Sequence, residues 1–256
     1  MKDLKAWLGI GLTAAAIVAA ILAPWLAPHD PMKADFVQSL RPPGSPGHLL
    51  GTDQLGRDLF ARVLYGARLA LFIGVCTVLL TALFGGLLGL VAGFVERWPS
   101  AVLMRIADVQ LSFPFILLAM TINAIVGLGL QNIILSLSAA GWVVYARVVR
   151  GEVLSVKQRD YVQAAAALGM SRSRLLFRHV LPNVAPSIIV VASLQFSSFI
   201  VAEAAISFLG FGIQPPTPAW GSMLSESRDF LYVAWWLAAF PGAALALTAL
   251  GVNLLG

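Results

Sequence analysis

Any chemistry in this chain has to be built from few ionisable groups: of 256 residues, 12 are Asp or Glu, 17 are Lys or Arg and 3 are His. A phosphate cradle of the P-loop kind needs a glycine-rich turn followed directly by Lys. Lys2, Lys5, Lys33 and Lys157 are the only lysines, and none follows such a turn. The sequence has no HExxH for a zinc protease and no GxSxG nucleophile elbow. Cys76 is the single cysteine and sits in an apolar run, which excludes a disulfide framework and a thiolate cluster. His29 and His48 share one loop without acidic or sulfur companions in a ligand pattern, so they read as solvent-exposed loop histidines and no metal site is expected. Glu203 stands apart, near the far end of a long apolar stretch whose other polar residues are uncharged. A carboxylate there is costly unless it faces protein or water. Two readings stay open: Glu203 lines a path and meets a positive group passing through it, or it pairs with an Arg or a backbone amide at the membrane boundary. The chain is expected to be non-catalytic, with no catalytic residue, cofactor or metal of its own.

The elements that must position these groups are membrane helices. Hydrophobic residues make up 59% of the chain and charged residues 11%, with a mean hydropathy of +0.86. Soluble domains carry about 25% charged residues, so most of this polypeptide belongs in lipid. The fold class is all-α: a polytopic membrane protein with about six transmembrane helices. Residues 1–28 form an N-terminal transmembrane anchor, because the apolar run is too long for a signal peptide and no small-x-small cleavage site follows. Residues 29–66 form an extracytoplasmic loop. Within it Thr52 caps a short amphipathic helix in which Asp53 and Asp58 each precede an Arg, Arg57 and Arg62, by four residues. Residues 67–256 form a core of five spans, with a cytoplasmic loop at 151–183.

In that core the second span covers 69–95, with Gly85, Gly89 and Gly93 on one side, a spacing that lets helices approach closely. A short turn, Glu96 to Pro99, returns the chain into a third span, 101–126, kinked at Pro114. The fourth covers 131–149, the fifth 184–208 with Pro186 in its first turn, and the sixth 233–255. A Gly- and Pro-punctuated loop runs from Ser207 to Leu224. With the N-terminus inside, the basic residues Lys2, Lys5, Arg97, Arg105, Arg147, Arg150, Lys157, Arg159, Arg172, Arg174 and Arg178 are cytoplasmic, which is 11 of the 17. That is the positive-inside bias, so the net charge of +5 reports topology and no nucleic-acid partner is expected.

The cytoplasmic loop contains DYVQAAAALGMSRSRLLFRHVLPN, residues 160–183. Read as a helix, it puts Tyr161, Ala164, Ala165 and Leu168 on one small, flat face. Gly169 then closes the helix in the left-handed conformation and Ser171 caps a second one. In that second helix Leu176 and Val180 line one side, Arg174 and Arg178 another, and Pro182 stops it.

Gln163-Ala164-Ala165, Gly169 and Leu181-Pro182 resemble the EAA loop of permease subunits in bacterial ABC importers, with Gln163 where the family usually has Glu. GTDQLGRD (51–58) with the Arg68 region, RIADVQLSFP (105–114) and FLGFGIQPPTPAWG (208–221) resemble the dipeptide, oligopeptide and nickel branch of that family. The blocks are scattered from Leu50 to Leu255, in the family's order. The resemblance implies a permease subunit of the bacterial inner membrane, forming half of a path for peptides or nickel. It also implies a cytoplasmic coupling helix that contacts the ATPase through Tyr161, Gln163, Ala164, Ala165, Gly169, Leu181 and Pro182. The implied partners are a second permease, two ABC ATPase subunits that hold the ATP and Mg, an extracytoplasmic substrate-binding protein and lipid. Relatives usually run past an NLLG-like string into a short polar tail, whereas this sequence stops at Gly256. Hydropathy alone leaves two other classes open, a secondary transporter or channel that needs no ATPase and a membrane assembly scaffold.

Overall fold

The computed structural model describes residues 2–95 and 98–255. Among these it holds ten α-helices and no β-strand, only two isolated bridges. Five helices are long and apolar enough to cross a membrane, or six if one broken pair counts as a span. Glu96 and Arg97, half of the expected turn, lie outside the described residues.

α1 (Lys2–Leu26) packs on the outside of the bundle, crossing α10 where Gly9 meets Leu254 and Gly251 meets Leu12. α2 (Leu59–Phe94) is one unbroken helix of 36 residues, so the expected short amphipathic helix starting at Thr52 does not exist separately. Asp58, not Thr52, is its cap, with its side chain accepting the Ala61 N–H. The reason lies just upstream: Gly56 has φ +74°, which no right-handed helix contains, and a turn at residues 54–55 lies inside an isolated bridge between Thr52 and Asp58.

The expected third span is two helices, α3 (Trp98–Leu111) and α4 (Phe115–Val126), bent by 94°. Pro114 keeps Phe113 out of the helical region and supplies no N–H, so α3 frays before it and α4 starts after it. α5 (Leu130–Lys157) extends eight residues past the expected span end at Val149. α6 (Asp160–Ala167) follows a short turn, and α7 (Arg172–Leu175) leads through a π-helical turn (Leu176–Val180) into α8 (Leu181–Phe208). Pro182 therefore does not stop the second loop helix, because residues 172–208 are continuous helix. The turn widens where proline withholds a hydrogen bond, and the Asn183 side chain donates to the His179 carbonyl at 2.7 Å. α9 (Trp220–Glu226) and α10 (Trp236–Asn253) complete the chain.

Three apolar clusters succeed one another along the bundle. One joins the start of α2 to α9 and α10 through Leu59, Trp220 and Trp236; a middle one joins α2, α4, α5 and α8; the third joins the ends of α2 and α5 to α6, α7 and the start of α8. The glycine face of α2 rests on α5, as its spacing predicts. A β-carbon on Gly89 would sit 2.6 Å from the Ala146 carbonyl oxygen and 2.8 Å from Val149 Cβ. Gly89→Val is therefore expected to push α5 away at a cost of about 1–3 kcal/mol, read as a lower melting temperature of the detergent-purified protein. An unchanged melting temperature would mean that the α2–α5 contact is loose.

Candidate functional site

At the end of the bundle carrying residues 157–183, α6 is short but held at many points. Val162 is 2% exposed and packs with Val153, Val156, Leu175 and Val180, while Ala165 and Met170 are half-buried against the same cluster. The helix closes as expected: Gly169 has φ +82°, its N–H donates to the Ala166 carbonyl, and the Met170 N–H donates to the Ala165 carbonyl at 3.2 Å. Ser171 has the backbone of a cap, but its side chain makes no capping bond.

The expected flat face divides in two. Ala165 turns to the bundle, whereas Tyr161, Gln163, Ala164 and Leu168 face outward, Leu168 at 89% exposure. Gln163 uses its amide locally, donating to the Gln158 carbonyl at 3.3 Å. Arg159 donates to the Asn183 side chain at 3.1 Å, and Tyr161 lies 6.1 Å from the His179 ring, so both ends of the 160–183 segment are tied together. Leu181 is half-buried and Pro182 exposed at the start of α8. Arg172, Arg174 and Arg178 are exposed, and so is Phe177. This end is thus a braced, basic platform with a few uncovered apolar side chains.

At the opposite end the GTDQLGRD segment forms a buried ionic knot. One Asp53 oxygen accepts the N–H groups of Leu55 and Arg57, each at 2.9 Å. The other accepts Arg57 Nε at 2.6 Å and Arg62 Nη1 at 2.8 Å. Glu226, on α9, closes the knot by accepting from Arg57 at 3.0 Å, Arg62 at 3.1 Å and Gln54 at 3.2 Å. The expected Asp53–Arg57 pair is present. The expected Asp58–Arg62 pair is not, because Asp58 accepts from Ala61 and faces His48 instead. Trp236 donates to the Thr52 carbonyl at 3.2 Å, so α10 is fastened to the same loop. The reading of both histidines as exposed also needs correction: His48 is mostly buried, with Nδ1 2.8 Å from Asp58.

Glu203 is 2% exposed, packed inside the chain. Among the described residues neither expected partner, an Arg or a backbone amide, bonds to it; it accepts the Ser207 hydroxyl at 2.6 Å, and Ser207 in turn accepts the Ile213 N–H at 3.0 Å. Two polar anchors escaped the sequence reading. Asn123, fully buried on α4, donates to the Phe211 carbonyl and accepts from Ser136. Gln110, just before the α3–α4 break, donates to the carbonyls of Ala139 and Ala140 and accepts from Trp142 at 2.9 Å. A lone amide inside an apolar segment was the available signal in both cases.

Comparison with known proteins bears on what these two ends serve. Residues 85–256 match the family described as binding-protein-dependent transport system inner membrane component, and residues 2–43 match the N-terminal TM domain of oligopeptide transport permease C. The chain is 44% identical over 247 residues to the di/tripeptide transport system permease protein DppC of Pseudomonas aeruginosa, covering 94% of this chain and 81% of the relative. It is 41% identical over 255 residues to the dipeptide transport system permease protein DppC of Alkalihalophilus pseudofirmus, covering 100% and 84%. It is 41% identical over 240 residues to the glutathione transport system permease protein GsiD of Pectobacterium atrosepticum, covering 94% and 80%.

Proposed function

The chain belongs to the family of inner membrane components of binding-protein-dependent transport systems, and we propose that it carries peptides inward as one half of a two-permease path. It is a multi-pass permease subunit of an ABC importer. Peptides as substrate are supported by its relatives, which are named di/tripeptide, dipeptide and glutathione transport permeases. The partners in this reading are a second permease, two ATPase subunits that bind ATP and Mg, and an extracytoplasmic binding protein that delivers the peptide. The N-terminus and α6 then lie on the cytoplasmic side, where the basic residues concentrate.

The observation that carries the coupling role is the outward face of α6. Leu168, Tyr161 and Ala164 are uncovered at a polar, Arg-rich end of the bundle while Val162 braces the same helix from behind. A side chain as exposed as Leu168 costs nothing if another subunit covers it. Closure of the ATPase pair would push α6. Because α7 and α8 are one continuous stretch, the push would reach the membrane-crossing part of α8 as a rigid-body movement.

Leu168→Glu tests this reading in the complex purified from membranes. The expected result is loss of most copurifying ATPase and at least a tenfold fall in ATP-driven peptide uptake, with membrane insertion and melting temperature unchanged. Full uptake by preparations lacking ATPase would instead identify a secondary transporter and overturn the coupling role.

A further inference from the structure

We propose that His29, His48 and Asp58 form a site for one divalent transition-metal ion of the zinc type, at the end of the bundle where α1 stops and α2 begins. The proposal is independent of the substrate and of the coupling role. Three residues of one connecting segment, His29, His48 and Asp58, bring one ligand atom each to within 4.8 Å of one another. His48 Nδ1 is 2.8 Å and His29 Nδ1 3.8 Å from the same oxygen, Asp58 Oδ1. The two imidazoles stack with their centres 4.8 Å apart.

A hydrogen bond explains only part of this cluster. Asp58 Oδ2 is occupied by the Ala61 N–H at 2.8 Å, which fixes the carboxylate and leaves Oδ1 for the imidazoles. One Nδ1–H, that of His48, satisfies Oδ1. The second imidazole lies too far for a hydrogen bond yet presents the same nitrogen to the same oxygen. An ion replacing the proton on Nδ1 would engage all three atoms at once.

Two imidazole nitrogens and one carboxylate oxygen make a three-residue ligand set with a fourth position left for water or another donor. Such a mixed nitrogen and oxygen set suits Zn2+ and its neighbours better than Ca2+ or Mg2+, which take oxygen ligands. Asp58 and His48 are held in place, their side chains 0% and 11% exposed, whereas His29 is 44% exposed and free to close the short remaining distance. The open side gives onto a cavity of about 570 Å³ whose lining includes Asp30, Asp35 and Lys33. His29 follows α1 by three residues, and Asp58 caps α2. A bound ion would therefore clasp the two helix ends together.

The test uses the whole complex in detergent, stripped with a chelator and titrated with Zn2+ and, separately, with Co2+, against the His29→Ala variant. His29 takes no part in the ionic knot and is 44% exposed, and the melting temperature of the metal-free variant, expected to match the metal-free parent, checks that the fold is kept. The expected result is one more zinc site per chain in the unmodified protein than in His29→Ala, or at least a tenfold weaker Kd in the variant. The unmodified protein should also show the visible absorption of tetrahedral Co2+, which the variant lacks, and a melting temperature that rises with Zn2+ only when His29 is present. Equal zinc stoichiometry, affinity and cobalt spectrum in the two proteins, or no zinc binding in the unmodified one, would overturn the proposal.

Discussion

Replacing Asp53 by Ala is expected to unfasten the whole GTDQLGRD end of the protein. The variant leaves two buried guanidinium groups, Arg57 at 2% and Arg62 at 0% exposure, to share the single carboxylate of Glu226, so one buried positive charge is uncompensated. Removing one partner from a buried ion pair costs about 3–5 kcal/mol, because the charge left behind has no water to replace it. The same substitution also frees the N–H groups of Leu55 and Arg57 that shape the turn. Thermal unfolding in detergent should show a large drop in melting temperature and reduced protein in the membrane. Glu226→Gln should cost less, because that side chain is 18% exposed and the amide still offers an acceptor. The ionic knot would be shown to be ornamental if both variants melted within about 0.5 kcal/mol of the parent, the usual range for surface substitutions.

The second large effect is expected at Gly169 and should be functional more than structural. At φ +82° an L side chain is strained by about 1–2 kcal/mol, and a β-branched one suffers more. Nothing lies within 4 Å of the position where a β-carbon would go, so the strain comes from the backbone alone. Gly169→Val should straighten or shift the junction between α6 and α7, misplacing Leu168 while leaving Val162 and the spans in place. ATP-driven uptake by the reconstituted complex should fall at least tenfold, with residual ATP hydrolysis no longer stimulated by substrate. Gly151→Ala is the matched control, in a helical position with open space and no positive φ. Normal uptake by Gly169→Val would remove the junction from the coupling route.

What could be read without coordinates was whatever depends on period and on single-residue backbone demands. The glycine spacing of α2 gave its packing face, and Gly169 announced its own conformation, because both follow from local geometry. Helix starts were harder. Thr52 and Asp58 are both good caps, and what decided between them was the left-handed Gly56, whose β-carbon would also run into the Asp35 carbonyl across the loop. Pro114 signalled a disturbance, but nothing local separates a kink from a 94° break. Partners distant in sequence were not legible at all. Asp58 precedes Arg62 by four residues, yet Arg62 pairs with Asp53 and with Glu226. His48 reads as exposed because no acid stands near it in a ligand pattern; its partner, Asp58, lies ten residues on and reaches it only through the loop fold. On α6 the periodicity grouped Ala165 with Tyr161, Ala164 and Leu168, but Ala165 turns inward beside Val162, which depends on where the ends of α2 and α5 lie.

The ionic knot also has a history within each molecule. Its two arginines and Asp53 leave the ribosome early, carrying an excess of one positive charge, while the balancing Glu226 comes 164 residues after Arg62. At about 5–20 residues per second that interval is roughly ten to thirty seconds. During this time the start of α2 cannot be buried in its final form, because an unpaired guanidinium would have to leave water. The first-made outer segment therefore has to wait at the membrane surface for nearly the last-made one. Completion of α9 sets the earliest moment at which the start of α2 can be buried in its final form.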